Sequence, residues 1–150
     1  MKMLQYIERQ VSALNDLIRI NNDRITGYEK RMSAILDDDL DDLFSQFIFQ
    51  SRQNNDELIQ CIHRLGGTPP DGSHLSGKFY HAWMDIKSFV SRQTRQMLLD
   101  YCEYCEDVAR SAYQQALGDY EIQWDNNEVN LLKKHINGLT MSYNQVKELQ

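Results

Sequence analysis

The sequence predicts an all-α protein, a bundle built from four long helices. Three observations carry that expectation. Chain breakers are scarce: 150 residues hold two prolines and seven glycines, and both prolines stand together in GGTPPDGSH. Apolar residues recur at three- and four-residue steps over four separate stretches, each long enough for several helical turns. The length and a hydrophobic content of 41% suit one domain around one core.

The first helix is expected over residues 8–36, where Val11, Leu14, Leu17 or Ile18, Ile25, Tyr28, Met32 and Ile35 keep a helical period. Its middle is polar (Asn21, Asn22, Asp23, Arg24), and Gly27 interrupts it at about 1 kcal/mol relative to alanine. A glycine inside a helix suggests close approach of a neighbour. The acidic run DDDLDD at 37–42 reads as a loop and N-cap, because carboxylates in a first turn satisfy free N–H groups and complement the helix dipole. The second helix, 42–65, presents Leu43, Phe47, Leu58, Ile62 and Leu65, again with a polar middle around Gln53 and Asn54. Gly66 and Gly67 stop it, and Pro69 and Pro70 prevent its continuation. A shorter helix is expected over 75–91, from Phe79, Trp83, Ile86 and Val90. The third long helix runs from about Thr94 to Leu117 with Gly118 as its cap, and the fourth starts at a cap on Asp125 or Asn126. The fourth carries Val129, Leu132, Ile136, Leu139, Tyr143 and Val146.

Composition narrows the function classes. Sixteen basic against 22 acidic residues leave a formal charge of −6, which argues against nucleic-acid binding. There is no basic run to serve as a membrane patch, and no apolar stretch of the roughly 20 residues that span a bilayer. The opening MKMLQYIERQ lacks the apolar core of a signal peptide. Three cysteines are an odd number, unlike a secreted disulfide framework. A cytoplasmic protein is the expectation.

Four long helices with a short one in the connection between the second and third form the ferritin-like arrangement, a bundle with one long crossover. The stretches ALNDLIRINNDRITGYEK (13–30), LGGTPPDGSHLSGKFYHAWMDIK (65–87) and CEYCEDVARSAYQQAL (102–117) carry a more specific likeness. With its Asn-Asp then Gly-Tyr pattern, its Leu-Gly-Gly then Trp-x-Asp-x-Lys segment and its Glu-Asp then Tyr pattern, the chain resembles a bacterial family of ferritin-like four-helix bundles of unknown function. The resemblance covers nearly the whole chain. It implies a ferritin-like fold in a bacterial, cytosolic protein, and no established activity.

A ferritin-like di-iron centre draws a glutamate from each of two helices and a Glu-x-x-His from each of the other two. The four histidines, His63, His74, His81 and His135, are preceded three residues earlier by Gln60, Asp71, Lys78 and Leu132. None is glutamate, so the standard ligand set is missing. Glu106 falls on the apolar face of the third helix between Cys102 and Ala109, and a carboxylate there must be paired, protonated or bound to something. If the midpoints of antiparallel helices share one level, Glu106 and His135 meet at mid-bundle, with Asp23 and Glu29 as the carboxylates of the first helix. Two readings follow. In one, these groups and the nearby amides hydrogen-bond one another and fix helix register, with Tyr28 and Tyr113 sending hydroxyls into the layer. In the other, Glu106, His135, Asp23 and Glu29 are a degenerate site for iron or another transition metal.

Weaker signals read as structure. Cys102-Glu-Tyr-Cys105 lies inside a helix rather than at an N-terminus, where a redox pair gains its low thiol pKa, and so reads as one core and one flanking thiol. His63 and His81 read as surface residues, and His74 as a loop residue. Phe44, Ile48 and Phe49 widen the stripe of the second helix beyond Phe47 and suggest a homodimer contact. Two function classes stand: a non-catalytic structural, stress-associated or protein-interaction bundle needing no cofactor, and a metal-binding or oxidoreductase remnant. The missing Glu-x-x-His pairs favour the first.

Overall fold

The computed structural model describes residues 2–32, 35, 37–70 and 94–150. Among them are four α-helices: α1 (Lys2–Arg31), α2 (Asp38–Arg64), α3 (Arg95–Gly118) and α4 (Asn126–Leu149). No strand occurs among the described residues. The short helix expected over 75–91, with His74, His81 and Trp83, lies outside them.

The helix ends follow local chemistry. Thr94 caps α3 by accepting from the Met97 N–H at 3.2 Å, and Asp125 caps α4 by accepting from Glu128 at 3.1 Å. α2 stops in a turn where Gly66 takes a φ of +79°, which a side chain resists. There the Gly66 N–H bonds to His63 and the Gly67 N–H to Ile62, satisfying carbonyls that the helix leaves open. The acidic run is the first turn of α2 rather than a loop before it. Asp37 holds the N-cap position without a side-chain cap bond, and Asp38, Asp39 and Asp41 fill the turn. α1 begins earlier than its apolar period suggests. Residues 3–5 are exposed and give no burial signal. The following turns are steadied instead by Arg9 and Gln10, whose side chains donate to the Glu121 and Gln123 carbonyls of the α3–α4 loop.

α1 with α2, and α3 with α4, form closely packed hairpins, and α1 against α3 joins them. Arg95, at the start of α3, bonds to Asp37 and Asp39 at the start of α2, at 2.8 and 2.7 Å. α2 and α3 therefore start at the same end and run parallel, the relative direction that helices joined by one long crossover take in the ferritin-like arrangement.

Each helix buries a stripe at alternating steps of three and four. On α1 it is Gln10, Leu14, Leu17, Asn21, Arg24, Tyr28 and Arg31; on α4 it is Glu128, Leu132, His135, Leu139, Ser142 and Val146. The stripes build two apolar clusters. One gathers Tyr28, Phe44, Phe47, Leu98 and Cys105, the other Leu14, Leu58, Tyr113, Leu132 and Leu139. Between them lies a polar slab, to which α1 gives Asn21 and Arg24, α2 Gln50, α3 Glu106 and α4 Ser142.

Two expectations about packing are corrected. Phe44 and Ile48 do not widen an exposed face. Phe44 is fully buried, 4.9 Å from the Tyr28 ring, and Ile48 is 6% exposed, because the stripe of α2 spans both its three- and four-step rows; only Phe49 remains outside. Cys102 and Cys105 are both core thiols rather than one core and one flanking. Burial pushes both thiols above their ordinary range, which leaves them poor nucleophiles. Gly27 does admit a close neighbour: a Cβ there would overlap the Tyr101 hydroxyl.

Candidate functional site

What meets Glu106 inside the bundle is Arg24. Both side chains are wholly buried. The guanidinium approaches the carboxylate along two edges, Nε to Oε2 at 3.1 Å and Nη2 to Oε1 at 2.5 Å, the fork geometry that suits arginine to carboxylates. The Tyr28 hydroxyl donates to Oε2 at 2.6 Å. Burial and the adjacent Glu106 charge push the Tyr28 phenol well above its ordinary pKa, so it stays a donor. Burial alone would lower the Arg24 pKa; the Glu106 carboxylate more than reverses this and the guanidinium is held charged.

Arg24 is also the hub of a longer chain. Its Nη1 donates to Asn21 Oδ1 at 3.4 Å, and Asn21 Nδ2 donates to the Tyr113 hydroxyl at 3.1 Å. Tyr113 lies 2.9 Å from His135 Nδ1. Nδ1 accepts the phenolic hydrogen of Tyr113, because neutral His135 carries its proton on Nε2, directed at the acceptor-only carboxylate of Glu57. That nitrogen faces Glu57 Oε1 at 3.4 Å. Burial lowers the His135 pKa to about 4, which keeps the ring neutral at pH 7. Glu57, one-third exposed, also holds Lys134 at 2.8 Å. On another branch Arg24 Nη2 donates to Gln50 Oε1 at 3.4 Å, and Ser142 donates to the same oxygen at 3.1 Å. The layer thus joins all four helices.

Of the four residues singled out as metal ligands, Glu106 lies at the centre, bonded to Arg24 and Tyr28. His135 is two helical turns away, joined to the centre through Tyr113, Asn21 and Arg24. Tyr143 sets the register: it contacts Glu103 at 3.5 Å and lies under the Arg110 guanidinium, so the level of Glu106 on α4 falls near Ser142 and Tyr143. Asp23 is nearly buried on α1, turned about 100° from Arg24 by the helix. Glu29 lies at the surface, bonded to Arg52 at 2.5 Å with both side chains about half exposed. The structure therefore does not bring the four together. Among the described residues no three of His, Cys, Asp and Glu gather closely enough to hold an ion.

The expectation that Tyr28 and Tyr113 enter the polar layer holds. Missed were Arg24, Glu57, Gln50 and Ser142. The signal for Arg24 and Ser142 was present: continuing the steps of three and four from Leu14 and Leu17 reaches Asn21, Arg24 and Tyr28, and from Leu132 reaches His135, Leu139 and Ser142.

Comparison with known proteins places this arrangement. The fold is similar to that of a conserved hypothetical protein from Mycobacterium tuberculosis (TM-score 0.71, 13% identity, covering 95% of this chain and 98% of that one). It is also similar to a Dps1 mutant from Mycobacterium smegmatis (TM-score 0.75, 14% identity, 96% of each chain). A third similar structure is a ferritin-like diiron-carboxylate protein from Bacillus anthracis (TM-score 0.64, 17% identity, 96% of this chain and 94% of that one). At these identities the likeness is one of fold. No curated protein matches the chain. No helix among the described residues is long and apolar enough to cross a membrane. The family described as a domain of unknown function (DUF2383) matches residues 9–119, and the chain, a ferritin-like four-helix bundle, belongs to it.

Proposed function

We propose that this chain is a non-catalytic helical bundle that acts through protein contacts, as a cytoplasmic homodimer. The observation that carries the reading is the pairing of Arg24 with Glu106. In a di-metal bundle the central carboxylates offer their oxygens to cations. Here one cation is part of the chain: a guanidinium takes both oxygens of Glu106, and Tyr28 takes one of them again. A metal at this carboxylate would have to displace a buried arginine and would face its charge. The groups that remain accessible are at the surface, which directs attention to contacts rather than chemistry. Self-association is supported by the exposed apolar residues Met3 and Leu4 at the start of α1, 74% and 65% exposed.

The test is elemental analysis of protein purified without chelator or metal-affinity resin, before and after anaerobic Fe(II) addition. The expected result is no stoichiometric iron or other transition metal in either state. Near-stoichiometric metal, lost on Glu106→Ala or His135→Ala, would overturn the reading. Sedimentation tests the dimer, and a monomer at high concentration would remove it.

A further inference from the structure

We propose that the groove between α2 and α4 binds a short, extended, neutral-to-basic peptide segment of a partner protein, an inference that rests on the protein-contact reading above. α2 and α4 touch sparsely and leave an open groove of about 640 Å³. Two cross-links bound it, Ser142 to Gln50 at 3.1 Å and Lys134 to Glu57 at 2.8 Å. Gln50 and Glu57 stand seven residues apart on α2, roughly 10 Å along the axis, which is the reach of about three extended residues.

The lining asks for hydrogen-bond acceptors. Asn54 lines the groove and is 7% exposed, and its buried Nδ2 has no hydrogen-bond partner. That nitrogen is closed to water where it stands, but no hydrogen bond holds the amide, and turning it about its Cβ–Cγ bond offers the donor to an acceptor in the groove. Gln50 adds a second amide nitrogen. Its Oε1 accepts from Arg24 and Ser142, and because arginine can only donate, the amide cannot be turned around. Its Nε2 therefore lies over Gly138, 3.0 Å from where a Cβ would stand. Gly138 keeps this part of the floor low.

Charge selects the kind of acceptor. Asp56 and Glu57 line the same groove, and its one lysine, Lys134, is already held by Glu57. A carboxylate or phosphate would enter against two carboxylates. A peptide carbonyl brings the acceptor without the charge, and a lysine or arginine beside it would be drawn to Asp56. At the Gln50 end Met141, 68% exposed, lines the groove, and Phe49, 63% exposed, precedes Gln50 on α2. A flexible methionine at that end of the lining suits an apolar side chain of variable shape.

The experiment screens the full chain against a synthetic library of hexapeptides, N-acetylated and C-amidated so that only backbone carbonyls and side chains are offered. Retained peptides are expected to carry an aliphatic or aromatic residue near a lysine or arginine. Their binding should fall at least tenfold in both Asn54→Leu and Gly138→Leu, and their addition to ¹⁵N-labelled protein should move the side-chain amide signals of Gln50 and Asn54. Both variants should keep the wild-type helical signal, and Asn54→Leu should melt no lower than wild type, since it removes an unpaired buried donor. The proposal is overturned if no peptide is retained above the level of Gly138→Leu. It is equally overturned if acidic peptides are selected, if either variant binds as wild type does, or if Gly138→Leu instead changes the sedimentation of the free protein, which would make a second copy the occupant. Metal content does not enter this readout, so the groove and the non-catalytic reading can fail separately.

Discussion

Replacing Arg24 by methionine removes the guanidinium while keeping an unbranched side chain to fill most of the space. Four hydrogen bonds go with it: two to Glu106, one to Asn21 and one to Gln50. Gln50 keeps Ser142, but Glu106 is left as a fully buried carboxylate with Tyr28 as its remaining partner. Removing one member of a buried pair typically destabilises by about 3–5 kcal/mol, because the other charge stays behind uncompensated. Against a total stability of about 5–15 kcal/mol this is a large fraction. With a urea slope near 2 kcal/mol/M the unfolding midpoint should fall by about 2 M. The decisive comparison is the double variant Arg24→Met/Glu106→Leu. Replacing a whole buried pair by apolar groups is often neutral or stabilising by about 1–4 kcal/mol, while the orphaned Tyr28 hydroxyl costs about 1–3 kcal/mol. The double variant should therefore unfold within about 2 kcal/mol of wild type, well above Arg24→Met alone. Urea unfolding followed by circular dichroism, with unchanged slopes, measures all four corners of the cycle. Losses that simply add in the double variant, or a cost below about 1 kcal/mol for Arg24→Met, would refute the idea that the two form one desolvated unit.

Gly27→Ala should destabilise by about 1–3 kcal/mol despite the better helix propensity of alanine, because its methyl group collides with the Tyr101 hydroxyl; thermal melts in a Tyr101→Phe background should recover most of that loss. His135 gives the bundle a pH dependence: its folded pKa, lowered by burial to about 4, lies below the ordinary histidine value. Between those values the unfolded chain binds the extra proton, so stability is complete above about pH 6.5 and declines as pH falls towards 4, by about 3 kcal/mol at most. Urea midpoints measured from pH 7 to 4 should show this decline in wild type and lose it in His135→Gln; equal slopes in the two proteins would exclude His135 as the source.

The scaffold was legible because its signals are local. Scarce glycine and proline, caps at Thr94 and Asp125, and the stop at Gly66 depend on residues a few positions apart. The centre was only half legible. Glu106 drew attention as a lone carboxylate on an apolar face, yet its partner was passed over within a run of four polar residues, since a wholly buried arginine is rare. Period, rather than polarity, distinguishes Arg24 from Asn22 and Asp23. The supposed meeting of Glu106 with His135 assumed aligned midpoints, whereas the α3–α4 hairpin shifts the register and puts Tyr113 opposite His135. Glu57 and Gln50 could not be read from α2 alone, because their roles come from side chains on α1 and α4. The dimer surface at Phe44 and Ile48 went astray for a related reason: the count of apolar residues on a helix does not tell how wide a face its neighbours will cover.

The direction of the hydrogen bonds has one more consequence. From Arg24 the chain through Asn21, Tyr113 and His135 to Glu57 runs one way, each group giving a hydrogen to the next. A proton wire works only if its links can reverse after each hop. Arginine has no lone pair to accept a returning proton and does not release one of its own in proteins. The layer that looks like a conductor across the bundle is therefore an insulator: it ends in a group that cannot take part in the relay, and charge is held in place rather than passed through.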